Sequence, residues 1–131
     1  MTVKGWSADD QSASETTGRA KTNARLVYVT VGTHSEALSI GRSVVEARLA
    51  ACANVIDRVK SIYWWGGDIQ ESDEVVWLVK SQGNLIDALI DKVKEAHSYD
   101  CPCVVVLPIE GGNPQYLEWI AGQTAANSML E

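Results

Sequence analysis

Cys101-Pro102-Cys103 is the stretch of this sequence with the most chemical potential. Residues i and i+2 of an extended segment project to the same side, so both thiols can reach one soft cation. Thiolates select Cu(I) and Zn(II) over hard ions, and His97 lies just upstream as a third candidate ligand. Cys52 is a fourth, with no partner near it in sequence. The competing reading treats these cysteines as small buried hydrophobes, a common role of free thiols. It is favoured by the lack of a second Cys/His pair, since closed zinc sites usually take four ligands. His97, Ser98 and Asp100 do not amount to a catalytic triad, because triad partners converge from separate elements. His97 also fits the C-terminal end of a helix, where a protonated ring would suit the dipole.

Tyr63, Trp64, Trp65 and Trp77 concentrate aromatic surface in one region. They could stack on a ligand, but large aromatics are also enriched at subunit contacts. Lys80 and Glu71 read either as walls of a small polar pocket or as solvated strand ends. Tyr99 and Asp100 join His97 as polar candidates, so the ligand-contact set is Tyr63, Trp64, Lys80, Tyr99 and Asp100. Gly111-Gly112-Asn113 is too little for an anion site, and no P-loop or dinucleotide fingerprint is present.

These residues must be positioned by a small set of elements. Leu26 to Val31 is β-branched and aromatic and stops at Gly32, the signature of a strand. Ser35 is the expected cap of a helix that carries Ile40, Val44, Ala47 and Ala51 at helical spacing. A second strand from about Cys52 to Trp65 should fold back at Gly66-Gly67-Asp68 into a third, about Ile69 to Lys80. Gly83-Asn84 opens another helix, with Leu85, Ala88, Leu89 and Val93 facing inward. Cys103 to Ile109 reads as a buried strand, and Asn113-Pro114 places a cap and an N1 proline on a last helix with Leu117 and Ile120.

The order is βαββαβ followed by α, an α+β, ferredoxin-like arrangement. Helices on one face of such a sheet predict alternating strands. Yet Val27, Val29 and Val31 oppose Leu26 and Tyr28, and Val75, Trp77 and Val79 oppose Val76 and Leu78. Apolar groups on both faces need two covers, and the second is most economically another subunit.

The 131 residues suit one domain at 25–131, preceded by a polar 1–24 segment with an isolated Trp6 that reads as a flexible tail. A net charge of −6 leaves no basic excess for nucleic acid. No apolar run reaches the roughly 20 residues of a membrane span, and the start has no secretory h-region. Three cysteines are an odd number, which fits reduced thiols in a cytoplasmic setting rather than a disulfide framework.

Ala47-Arg48-Leu49-Ala50-Ala51-Cys52-Ala53-Asn54-Val55 resembles the first signature of the CutA divalent-cation tolerance family. Ser61-Ile62-Tyr63-Trp64-Trp65 with Gly67 and Ile69 is similar to the second. Ala96-His97-Ser98-Tyr99-Asp100-Cys101-Pro102, followed by Leu107-Pro108-Ile109, is similar to a third, and Tyr116 to Ile120 to the C-terminal helix. The resemblance runs in order from Arg25 to Gln123. It implies a tight homotrimer joined by a long hairpin, and a link to divalent cations, notably copper, with no obligatory cofactor. The third motif departs from the family pattern: Ser98 replaces a proline, Asp100 a glutamate, and Cys103 stands where glutamate is common. The expected function is metal binding without catalysis. A trimeric signalling scaffold is an alternative within the same frame, and two further readings are weighed against it. A sensor like the nitrogen-regulatory PII proteins would want a long loop where only Gly66-Gly67-Asp68 stands. An acylphosphatase would want an arginine after the first strand, where Gly32-Thr33-His34 has none.

Overall fold

The computed structural model describes residues 22–124. The polar segment with Trp6 therefore lies almost wholly outside the described residues. The elements run β1 (Ala24–Val31), α1 (His34–Glu46), β2 (Cys52–Trp65), β3 (Asp68–Gln82), a 3-10 turn (Gly83–Leu85), α2 (Ile86–Ala96), β4 (Val104–Pro108) and α3 (Pro114–Gln123). The four strands form one antiparallel sheet in the order β2-β3-β1-β4. No helix among the described residues is long and apolar enough to cross a bilayer.

Register explains the core. Val27, Val29 and Val31 of β1 stand opposite Val79, Trp77 and Val75 of β3, and all six are buried. Ala37, Ile40 and Val44 of α1 and Leu89 and Val93 of α2 close over them. Ala88, expected to face inward, is exposed, and Ile86 packs against the core in its stead. The opposite face carries Leu26, Tyr28, Leu78, Ile56, Val105 and Leu107, and the last helix reaches only its end, at Ala24 and Lys80. β4 is accordingly not a buried strand. Val104 and Val106 pack on the core, whereas Val105 on the bare face is 50% exposed.

The ends of α1 are set by local chemistry. Its cap is Thr33 rather than Ser35: the Thr33 hydroxyl accepts the Glu36 N–H at 3.1 Å, half of a capping box. The helix ends at Glu46, so Ala51 lies beyond it. Arg48 takes the left-handed conformation with φ 64°. The bonds Leu49 N–H to Val44 O and Arg48 N–H to Val45 O then close a Schellman turn. The Arg48 guanidinium donates to Gln123 O and Oε1, both at 3.2 Å, which ties this turn to the end of α3. α3 begins as expected, with Asn113 Oδ1 accepting the Gln115 N–H and Pro114 in the first turn, and it seats Ile120 against Ala24 and Ala51.

Beyond the sheet, β2 and β3 continue as a two-stranded arm that turns at Gly66 and Gly67, both at positive φ. The arm leaves the body at a bulge between Ile56 and Val59, where Arg58 sits at φ 63°. Extra residues of this kind bend and twist a strand. Ile62, Trp64, Trp65 and Ile69 of the arm are all exposed, Trp64 by 71%.

Gly41 is where α1 comes closest to the sheet. A Cβ there would lie 2.7 Å from Nε1 of the fully buried Trp77, so the ring or the helix would have to shift. Gly41→Ala is expected to lower the unfolding free energy by about 1–3 kcal/mol through overpacking, despite the better helix propensity of alanine. Urea unfolding at constant m-value checks this.

Candidate functional site

Polar side chains converge at one corner of the molecule, where β1 ends, α1 begins, α2 ends and the arm departs. α2 delivers His97 as its C-terminal cap, with the His97 N–H bonded to Val93 O at 2.9 Å. The His97 ring is buried. Its Nε2 lies 2.8 Å from Thr30 O, and a carbonyl can only accept, so Nε2 carries a proton. Nδ1 accepts the Tyr99 N–H at 3.0 Å and therefore does not. These two bonds fix the neutral Nε2–H tautomer, in place of the protonated helix cap expected from the sequence.

Glu36, at the third position of α1, reaches across to the loop after α2. One oxygen accepts the Ser98 N–H at 2.7 Å and the other the Ser98 hydroxyl at 3.0 Å. Glu74 of β3 accepts the Ser61 hydroxyl at 2.6 Å and the Tyr99 hydroxyl at 2.9 Å. The Tyr99 and His97 rings tilt against each other at a centroid distance of 4.7 Å. Two carboxylates are thus held by neutral donors from two segments, β2 and the loop after α2, with His97 Nδ1 3.7 Å from one Glu36 oxygen. Burial, with the Glu74 and Glu36 carboxylates, pushes the Tyr99 phenol up to about 12. Tyr99 is a fixed donor at neutral pH. On the outer side of the corner His34 Nδ1 meets Asp57 Oδ1 at 2.7 Å, next to the bulge.

The candidate metal ligands are not assembled. Cys101 and Cys103 are free and exposed, on the loop leading into β4. His97 could reach an ion only by giving up a present bond. Cys52 lies elsewhere, at the start of β2, with its sulfur 3.8 Å from the Tyr116 hydroxyl. Among the described residues no three His, Cys, Asp or Glu side chains are grouped to hold one ion. The ligand-contact candidates also separate. Tyr99 belongs to the corner. Tyr63 and Trp64 are on the arm, where the Tyr63 hydroxyl lies 3.2 Å from the Ser72 hydroxyl. Lys80 donates to Asn54 Oδ1 at 3.1 Å and stands 5.6 Å from the Tyr116 ring centre. Asp100 is exposed. Glu71 and Lys80 sit toward opposite ends of β3 and share no pocket. Ser98 bonds Glu36 rather than His97, so no nucleophile–base pair forms there.

Sequence reasoning missed Glu36, Glu74, Ser61 and the His34–Asp57 pair. Only Glu36 had a local signal, as the fourth residue of Thr33-x-x-Glu36. The others come together through the bulge and the arm register, which have no short-range signature.

The family model described as CutA1 divalent ion tolerance protein matches residues 25–123. Protein CutA of Mus musculus is 45% identical over 93 residues, covering 71% of this chain and 52% of that protein. The chain therefore spans only about half of that relative's length. The divalent-cation tolerance protein CutA of Thermus thermophilus is 39% identical over 99 residues, covering 76% of this chain and 96% of that protein. The crystal structure of CutA1 from Oryza sativa superposes with a TM-score of 0.77 at 40% identity, covering 79% of this chain and 94% of that one.

The corner predicts a pH dependence. The Tyr99 phenol binds its proton more tightly folded, at about 12, than at the ordinary value of 10.0. Its contribution is complete below pH 10 and declines as pH rises toward 12. Tyr99→Phe should cost about 1–3 kcal/mol at neutral pH through the lost bond to a carboxylate. It should also flatten the loss of stability over the alkaline window. Denaturant midpoints of both proteins from pH 8 to 12 test it.

Proposed function

Since the chain belongs to the CutA1 divalent ion tolerance family, we propose that it acts as a homotrimeric, non-catalytic metal-response protein of the cytoplasm that takes copper as Cu(I). The βαββαβ order and the strand order β2-β3-β1-β4 support a ferredoxin-like protomer. The trimer is supported by the bare sheet face and the apolar arm, which a protomer alone leaves in water. The Thermus thermophilus relative bears a name for divalent-cation tolerance rather than for a reaction.

One observation carries the metal assignment. The nearby nitrogen and oxygen donors of the corner are engaged: both His97 nitrogens, Glu36 through Ser98, and Glu74 through Ser61 and Tyr99. Cys101 and Cys103 beside them are free and exposed. A soft cation can be held by two thiolates alone, and carboxylates would not select it. Cys103 continues the alternation of Val105 and Leu107 and so belongs to the bare face, close to where a neighbouring subunit would sit.

Competition against a chromogenic Cu(I) chelator at fixed pH tests this. Replacing both Cys101 and Cys103 by serine is expected to weaken Cu(I) binding more than about tenfold, or 1.4 kcal/mol, while Cys52→Ser leaves it nearly unchanged. Affinity indifferent to all three thiols would refute the assignment. Assembly is checked separately by native mass measurement, where about three chains per particle are expected and a stable monomer at micromolar concentration would overturn the trimer.

A further inference from the structure

The loop from His97 to Cys103 is fastened at both ends to one residue of β1. The Thr30 carbonyl accepts the His97 Nε2–H at 2.8 Å, and the Thr30 N–H donates to Cys103 O at 3.3 Å. The His97 ring is buried, and its other nitrogen accepts the Tyr99 N–H at 3.0 Å. Glu36 holds Ser98 through both carboxylate oxygens, and Glu74 holds the Tyr99 hydroxyl. The entry to the loop is thus tied to β1, α1 and β3, and its exit to β1. Between the anchored Tyr99 and the anchored Cys103 stand only Asp100, Cys101 and Pro102.

A span this short between two anchors has few conformations. Pro102 fixes its own φ and biases Cys101 toward extended backbone, so the chain between the two thiols is stiff as well. Resting on the Cu(I) reading above, we propose that His97 is the positioning residue of the Cys101 and Cys103 pair. By closing the base of the loop through the Thr30 peptide, it holds both thiols at a set spacing for one soft ion. Two thiols on an open loop lose conformational freedom when an ion bridges them. A loop ordered in advance loses less, and the difference shows as affinity. Both His97 nitrogens are engaged in this tie, so its part is to place the ligands rather than to be one.

Phenylarsine oxide is the probe, because its trivalent arsenic forms one As–S bond to each of two thiols. The two thiol protons leave with the arsenic-bound oxygen as water, and no oxidant or reductant is needed. Its affinity for the reduced, full-length protein is measured beside the rates at which iodoacetamide alkylates Cys101 and Cys103 singly. His97→Phe fills the ring's volume without the Nε2–H donor. It should weaken arsenical capture about three- to tenfold, the share of one hydrogen bond, while single alkylation is no slower. His97→Gln restores an amide donor toward Thr30 O and should recover capture to within about twofold. A glycine inserted after Asp100 lengthens the span without touching the buried ring, and should weaken capture even if His97→Phe does not fold. The proposal is overturned by capture that persists without Cys101 and Cys103, that is unchanged by the insertion or in a folded His97→Phe, or that is equally weak in His97→Gln. Cu(I) competition on the same variants separates the two readings. Capture that follows His97 while Cu(I) affinity ignores both thiols supports the positioning role and refutes the copper assignment.

Discussion

A four-stranded sheet whose strands are apolar on both faces cannot be satisfied by helices on one. Here α1 and α2 seal Val27, Val29, Val31, Val75, Trp77 and Val79 on the inner face. Leu26, Tyr28 and Leu78 on the reverse are only half-buried, and Val105 and Leu107 are exposed. α3 covers only the end of this face, where Ile120 seats it on Ala24 and Ala51. The arm extends the same condition, with Ile62, Trp64, Trp65 and Ile69 all turned to water. Unpaired apolar surface of this extent is what closed symmetric assembly removes, which is why a second and third copy are the proposed cover.

The polar corner answers a different requirement. Where β1, α1, α2 and the arm meet, carboxylates and an imidazole are drawn close to the core, and each needs partners. The solution uses neutral donors: Ser98 for Glu36, Ser61 and Tyr99 for Glu74, and the backbone for both nitrogens of His97. Satisfied networks of this kind rigidify what they join. The corner fixes the loop after α2 to the head of α1 and to the root of the arm. Its chemistry is that of a joint, since the groups that could attack or coordinate are already engaged. Cys101 and Cys103, the proposed metal ligands, stand on the same loop, free and exposed outside the network.

Cys101-Pro102-Cys103, the spacing of apolar residues and the Asn113-Pro114 start of the last helix act within a few residues of each other. Such features were legible in the sequence: the element order, the hairpin turn at Gly66-Gly67 and the two-faced strands all follow from local periodicity and turn chemistry. Local signals were also where the reading slipped by a residue or two. Thr33 outcompeted Ser35 as a cap because Glu36 lies at the right offset, and Arg48 in a left-handed turn ended α1 before Ala51.

What the tertiary structure alone decided concerns residues far apart in the chain. Glu36 meets Ser98, Glu74 meets Tyr99, His34 meets Asp57 and Cys52 meets Tyr116, and no periodicity encodes those distances. The same holds for His97. Its sequence position fits a metal ligand or a charged cap, but the Thr30 carbonyl and the Tyr99 N–H make it a neutral internal tie. The close fit of Trp77 against Gly41 was likewise invisible, because it depends on how closely α1 approaches β3. Propensity and pattern act along the chain and so determine the elements. Register, bulge and crossing distance act across it, and they determine which side chains remain available to a ligand.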